Sequence, residues 1–340
     1  LLGLKERNMV AMVTLHHFTN PLWLVEMGGW ENEATIDLFA AFSRRVVEAL
    51  GSHCNLWITL NEPNVYMNGG YLGGGFPPGK NDLKTALKVL SNLVKGHAAA
   101  YQAIHEVQSE AQVGVAHNWR GFLPANGNPL TRYSTNLFNK VFNEAFPQAL
   151  VTGKFDAVFL KEDIPQARNT QDFIGLNYYT RDLIRFDLGK RAEMFTQRSY
   201  PKGAELSETG FLNNDPEGFK ACIKWGAQFG KPIYITENGA EDSKDDFRRK
   251  YLLQHLHALW HIVNHNIPVK GYFHWSLVDN FEWERGWSQR FGLWGLDPAT
   301  QLRTRRKSVD LYADICRTNS ITSETVEKYC PEIYDRIYPV

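Results

Sequence analysis

Two glutamates stand where a side chain is best placed for chemistry. Glu62 lies in Thr59-Leu60-Asn61-Glu62-Pro63, and Glu237 in Ile235-Thr236-Glu237-Asn238-Gly239. Each follows a short apolar run of strand type. Each is then held in a turn, by Pro63 in one case and by Asn238-Gly239 in the other. A carboxylate at the carboxyl end of a strand adds little to packing and is open to a ligand. Two of them, one protonated and one ionised, are what acid-assisted displacement at a sugar's anomeric carbon requires. They lie 175 positions apart (237 − 62), so a fold must bring them together.

The elements that must position them alternate regularly. Strand-type runs fall at 10–15, 56–60, 112–117, 173–176, 233–236 and 269–275. Amphipathic helical stretches follow at 33–50, 83–107, 132–150, 217–229, 246–264 and 308–317. Asp215-Pro216 marks one helix start, since proline suits the first turn. Six consecutive βα units with no Ser/Pro linker predict a parallel sheet covered by helices, in one domain over 1–340. A doubly wound open sheet would carry a Gly-rich turn after its first strand. The nearest glycine cluster, Gly69-Gly70 through Gly73-Gly74-Gly75, lies on the long loop after Pro63 instead and is no phosphate cradle. A barrel puts its functional loops at the strands' carboxyl ends. The six runs here end in His16-His17-Phe18, Asn61-Glu62, His117-Asn118-Trp119, Asn177-Tyr178-Tyr179, Glu237-Asn238 and His274-Trp275-Ser276. Six ligand-competent ends are hard to attribute to stability alone.

Composition narrows the partners. Lys plus Arg and Asp plus Glu both number 37, which argues against a nucleic-acid or anionic-membrane footprint. Ten tryptophans suit a site that stacks on sugar rings, and equally a Trp-rich core. Cys54, Cys222, Cys316 and Cys330 show no C-x-x-C or Cys/His spacing, so free thiols in a reducing, cytoplasmic setting are expected. No apolar run approaches the ~18 residues of a membrane span.

Three longer stretches then carry a resemblance. The two glutamate motifs, together with Gly271-Tyr272-Phe273-His274-Trp275-Ser276-Leu277-Val278-Asp279-Asn280-Phe281-Glu282-Trp283, resemble glycoside hydrolase family 1, the β-glucosidase family. Thr14-Leu15-His16-His17-Phe18 and Gly175-Leu176-Asn177-Tyr178-Tyr179-Thr180 match as well, in the right order. The resemblance implies a (β/α)8 TIM barrel and hydrolysis with retention of configuration. Glu62 would be the acid/base and Glu237 the nucleophile, with Tyr179 orienting Glu237 and Asn177 supporting the same network. Asn61 would donate to the sugar 2-hydroxyl, and His17 would be the sugar-binding histidine. His16, its neighbour, faces the other way by strand alternation and is read as structural. Trp275 would floor the sugar, while Glu282 and Trp283 would hold its 4- and 6-hydroxyls. A carboxylate there would repel a 6-phosphate. Phe291 would wall the site near C6, or simply pack. Phe18 stands where many members have Trp, which would reduce stacking on the aglycone side.

No cofactor and no metal is expected, since His16, His17, His117 and His274 lie on different strands without a closed ligand set. The partners expected are small β-linked saccharides or glycosides, with neither nucleic acid nor membrane. A closed barrel has eight strands, so the six units correspond to strands 3–8, with strands 1 and 2 missing. With those would go a family glutamine that binds the 3- and 4-hydroxyls and an arginine beside the nucleophile. An incomplete barrel could be completed by a homo-oligomer. The leading reading is a retaining β-glycosidase acting on β-glucosides, with β-galactosides or β-fucosides as further substrates. The alternatives are a catalytically weak or silent carbohydrate-binding barrel fragment, and a transglycosylase of the same chemistry.

Overall fold

The computed structural model of the chain describes residues 1–191 and 193–339. Six parallel strands form one sheet in sequential order: β1 (Met12–His16), β2 (Leu56–Asn61), β3 (Gln112–Asn118), β4 (Phe173–Asn177), β5 (Ile233–Asn238) and β6 (Val269–His274). Each is a hydrophobic run, as strands covered on both faces must be. In β4 all five residues are buried. The edge strands β1 and β6 are less covered: Thr14 in β1 and Lys270 and Phe273 in β6 are exposed.

The sheet is curled. Flat, its two edge strands would lie about 24 Å apart, five spacings of ~4.8 Å. Yet His17, just past β1, and Trp275, just past β6, have ring centroids 5.8 Å apart. The carboxyl ends therefore converge on one mouth. Among the described residues β1 and β6 are not hydrogen-bonded to each other.

Helices return the chain between strands. α1 (Ala34–Leu50) packs on α2 (Leu83–Val107), whose start is capped by Asp82 accepting from the Thr85 N–H at 2.8 Å. The helix expected at 132–150 is broken. It runs as α3 (Pro129–Asn139), a π-helical turn (Lys140–Glu144) and α4 (Ala145–Thr152). Pro147 lies in the first turn of α4, where its missing N–H costs least. α5 (Pro216–Ala227), α6 (Asp246–Val263) and α7 (Lys307–Thr318) complete the set. Asp215 caps α5 through the Gly218 N–H at 2.9 Å, as the Asp-Pro pair predicted. The first strand lies two residues later than its apolar run suggested, because exposed Met9 and Val10 are apolar without being paired.

Sequence periodicity also missed a small second sheet. Gly121–Pro124 pairs parallel with Arg181–Phe186, which pairs antiparallel with Thr196–Ser199. These strands sit on the loops after β3 and β4. They are too short and too mixed in polarity to announce themselves.

The ladder is irregular where the candidate residues lie. Ile58 pairs with Gly114 but Asn61 with Ala116, three steps against two. Ile235 pairs with Leu176 but Glu237 with Asn177, two against one. Each bulge inserts one residue and re-aims the side chains beyond it. The turn after Glu237 is equally constrained. A Cβ on Gly239 would lie 1.8 Å from the Trp275 carbonyl oxygen, so glycine alone lets β5 and β6 approach here. Gly239→Ala should cost at least ~1–3 kcal/mol in urea unfolding, the usual penalty of forcing extra volume into a packed site. Gly127→Ala, with nothing within 4 Å of its added Cβ, should change stability by less than about 0.5 kcal/mol. Equal effects would show that the Gly239 contact relaxes freely.

Candidate active site

A cavity of about 320 Å³ opens at the converged strand ends. His17, Glu62, Tyr179 and Glu237 line its inner part, and Trp275, Glu282, Trp283 and Phe291 close it from the β6 side. Asn61 and Asn177 lie beneath, buried. All ten residues singled out in the sequence therefore come together at one place.

Glu62 reaches the cavity because the chain turns sharply behind β2. Its backbone is left-handed (φ 45°, ψ 57°) and Pro63 opens the short helix Pro63–Met67 directly after it. A non-glycine residue in this conformation is uncommon and costs about 1–3 kcal/mol. Its backbone N–H still bonds the Ala116 carbonyl at 2.8 Å. The carboxylate accepts from Asn118 Nδ2 at 2.8 Å and Asn177 Nδ2 at 2.9 Å, both on Oε1. A proton on Glu62 therefore belongs on Oε2.

Asn177 is the junction. Its Nδ2 also reaches Asn61 Oδ1 at 3.1 Å, and its Oδ1 accepts from Thr236 Oγ1 at 2.6 Å. One amide thus ties β2, β4 and β5 together. Asn61 passes the network on, its Nδ2 paired with His17 Nε2 at 3.1 Å. With Oδ1 engaged, the second N–H of Asn61 is free to donate to a ligand hydroxyl. Burial pushes His17 down to about 4, so it is a neutral ring at ordinary pH. It sits between Trp275 (5.8 Å) and Trp283 (5.7 Å, stacked). His16 faces away as expected, bonded to Asn20 Oδ1 at 3.2 Å and edge-on to Trp30.

Glu237 accepts from the Tyr179 hydroxyl at 2.6 Å. Burial pushes its carboxyl well above the usual range, and the neighbouring Glu62 and Glu282 push it further, against the Tyr179 bond. Glu62 is also raised by burial, opposed by the Asn118 and Asn177 bonds and by Arg120. Two buried carboxyls that feel each other's charge hold one proton between them more readily than two charges. On direct contacts alone Glu62 is the better supplied anion, with two amide donors and a nearby guanidinium. No salt bridge reaches Glu237 among the described residues. The division into acid and nucleophile therefore comes from the motifs rather than from this proton balance.

A third carboxylate completes the polar floor. Burial, then the charges of Glu62 and Glu284, raise Glu282 to about 7 against the Asn280 bond. Trp283, at φ 48°, packs on Phe18 at 5.0 Å and Phe76 at 6.3 Å. Phe18 thus braces the Trp283 wall. Phe291 is buried, edge-on to Tyr179 at 6.0 Å. It lines the cavity and packs on Tyr179.

Sequence reasoning missed Asn118, although it ends β3 as Asn61 ends β2 and Asn177 ends β4. Three asparagines closing three neighbouring strands was the available signal. It also missed Arg120, Arg198, Phe211 and Arg285, which line the outer part of the cavity and whose neighbourhood depends on the second sheet.

Comparison with known proteins follows this geometry. The sequence profile of glycosyl hydrolase family 1 matches residues 1–321. Beta-glucosidase A of Thermotoga maritima is 33% identical over 345 residues, which cover 94% of this chain and 76% of that one. A beta-galactosidase of Pyrococcus woesei is 30% identical, with 96% and 72% covered. Among solved structures, the beta-glycosidase from Pyrococcus horikoshii superposes with a TM-score of 0.89 at 35% identity, covering 96% of this chain and 75% of that one. The T. maritima beta-glucosidase bound to deoxynojirimycin gives 0.87 at 31%, with 94% and 76% covered. The chain belongs to glycosyl hydrolase family 1, whose structural neighbours here are TIM-barrel enzymes. It spans about three-quarters of the length of these relatives.

The Glu282 environment makes a direct prediction. An ionised carboxylate accepts two hydroxyls, whereas its protonated form has one fewer acceptor and a donor in its place. KM for a β-glucoside should rise as pH falls from 8 to 6. Glu282→Gln should raise KM roughly tenfold at pH 8, the scale of one charge-assisted hydrogen bond, and flatten this slope. Steady-state kinetics across that range checks it; a variant that keeps the slope would clear Glu282 of the effect.

Proposed function

We propose that the chain hydrolyses small β-linked glycosides by double displacement, with Glu237 as nucleophile and Glu62 as acid and then base. The supporting observation is the Asn177 junction, which holds Glu62 and Asn61 in one hydrogen-bonded set beside the Tyr179–Glu237 pair. Retaining pairs stand about 5–5.5 Å apart, a spacing suited to carboxyls on strands that converge as β2 and β5 do.

In the first step Glu237 attacks the anomeric carbon while Glu62 protonates the departing oxygen. The Glu237 carboxylate becomes an ester, so Glu62 loses a charged neighbour and becomes a better base for the incoming water. Glu62, now ionised, takes a proton from water as that water displaces Glu237. Tyr179 fixes which oxygen of Glu237 is free to attack. Asn61 offers its spare N–H to the 2-hydroxyl, Trp275 floors the ring, and Glu282 with Trp283 receives the distal hydroxyls. Glucosides are the preferred substrates in this reading, in line with relatives named as β-glucosidases; relatives named as β-galactosidases support galactosides as a second class. An intact pair of carboxylates argues against a silent sugar-binding barrel.

The sheet is read as six strands of an eight-strand barrel that works as one catalytic unit. The edges of β1 and β6, unpaired among the described residues and with their mouths already converged, support two further parallel strands between them. The four thiols, none of them in a disulfide, fit a reducing, cytoplasmic setting. No helix among the described residues is long and apolar enough to cross a membrane.

Glu62→Ala separates the roles. It should slow hydrolysis of alkyl β-glucosides about 10²–10⁴-fold, the range of a lost general acid, and slow the first step for 2,4-dinitrophenyl glucoside far less. Equal losses would remove the acid assignment. Glu237→Gly should lose nearly all turnover and, with added azide, release the inverted α-glycosyl azide from an activated aryl β-glucoside. A β-azide from Glu237→Gly would transfer the nucleophile role elsewhere.

A further inference from the structure

The outer half of the cavity is charged in a way the reaction does not use. Three guanidiniums line it, Arg120, Arg198 and Arg285, and an adjoining cleft of about 540 Å³ is lined by Lys190 and again by Arg198. Most of these cations are already answered. Asp182 takes Arg120 in a two-pronged pair at 2.6 and 2.9 Å, Glu193 takes Lys190 at 3.0 Å, and Glu284 lies 3.2 Å from Arg285. Arg198 has no such partner among the described residues. Its Nε is buried without any hydrogen-bond acceptor, and what surrounds its guanidinium is aromatic, Phe138 at 4.9 Å and Phe122 at 5.7 Å. A guanidinium stays charged at any working pH. Held half-buried beside a second cation, Arg120, it feels Asp182 and Glu193 only from beyond bonding distance and lacks the direct ion pair that such a group ordinarily requires.

Its position says what would supply one. Glu62, which protonates the leaving oxygen, accepts from Asn118 at 2.8 Å, and Arg120, two residues further along the chain, lines the same cavity with Arg198. Arg120 and Arg198 therefore stand on the side of the acid and its leaving group. Around them the walls are flat and apolar: Phe142 and Phe211 line the same cavity, with Arg285 over the Phe211 ring at 4.4 Å and Arg120 at 6.0 Å. Arg198 belongs to both the catalytic cavity and the outer cleft, as do Asn68 and Gly73. It is the gatepost between them. The strand Thr196–Ser199 carries it, with Ile184 as its register partner, so a sheet rather than a loose loop fixes its place.

We propose that this subsite selects aryl β-glycosides whose aglycone carries a carboxylate, with Arg198 binding the anion and Phe142 and Phe211 receiving the ring. The inference rests on the glycosidase reading of the same cavity and names the class of leaving group it prefers. Charge-assisted bonds from this guanidinium would answer a cation of the wall that has no ion-pair partner among the described residues.

The test compares two glucosides with leaving phenols of nearly equal acidity, those of 4-hydroxyphenylacetic acid and of its primary amide. In the full chain at low salt, kcat/KM should favour the carboxylate roughly tenfold, the scale of one charge-assisted hydrogen bond. Arg198→Met should bring the ratio to about one, and Arg198→Lys should keep part of it. Because the readout is a ratio within each variant, a general loss of folding or rate does not imitate it. Calorimetric binding of the same two glucosides to Glu237→Gln reads the preference without turnover, so a failure of hydrolysis is told apart from a failure of anion recognition. A ratio of one or less with the native Arg198, in rate and in binding, overturns the proposal. So does a preference that survives Arg198→Met.

Discussion

Everything in this site depends on one buried side-chain amide. Asn177 is fully enclosed and hydrogen-bonds in three directions, to Glu62, to Asn61 and from Thr236. Those residues come from three strands, so the amide sets how far the strand ends can separate. It also bears on charge, since its N–H bonds Glu62 and in the proposed mechanism would support that carboxylate when Glu237 has become neutral. A buried amide with its partners missing is costly. The curl of the sheet and the poise of the carboxyls are thus one constraint seen from two sides.

The second constraint is desolvation. The cavity raises Glu62, Glu237 and Glu282 together, so the empty site holds more carboxyls than it can comfortably ionise. Such a site favours the fold less than an apolar floor would, and in return makes proton position responsive to what is bound. In the proposed mechanism a glycosyl ester on Glu237 would remove one competing charge, and hydroxyls on Glu282 would stabilise another. Catalysis would then be an ordering of three proton affinities by the substrate.

Much of this was legible in the chain itself. The six βα units were set by plain alternation of apolar runs and amphipathic stretches, and their polar ends pointed to one mouth. Glu62 and Glu237 were found because a turn residue follows each. His16 and His17 were sorted correctly by the two-residue period of a strand. What escaped was whatever depends on irregular backbone. The bulges at Asn61 and Glu237 insert residues that no periodicity shows, and the break within 129–152 comes from a π-turn in a continuous apolar stripe. Arg120 and Arg198 escaped because they flank and ride on the small sheet over the mouth, whose short strands show no period. Which carboxyl holds the proton is a property of the whole cavity, and the sequence motifs assigned it by likeness alone.

The central claim is that Glu237 forms the covalent bond to the sugar while Glu62 does not. Incubation of the full chain with 2,4-dinitrophenyl 2-deoxy-2-fluoro-β-D-glucoside, followed by intact-mass and peptide mass spectrometry, reads this directly. The account predicts stoichiometric release of dinitrophenol and one fluoroglucosyl ester, located on the peptide containing Glu237. An ester on Glu62, or release of dinitrophenol without any adduct, would contradict it.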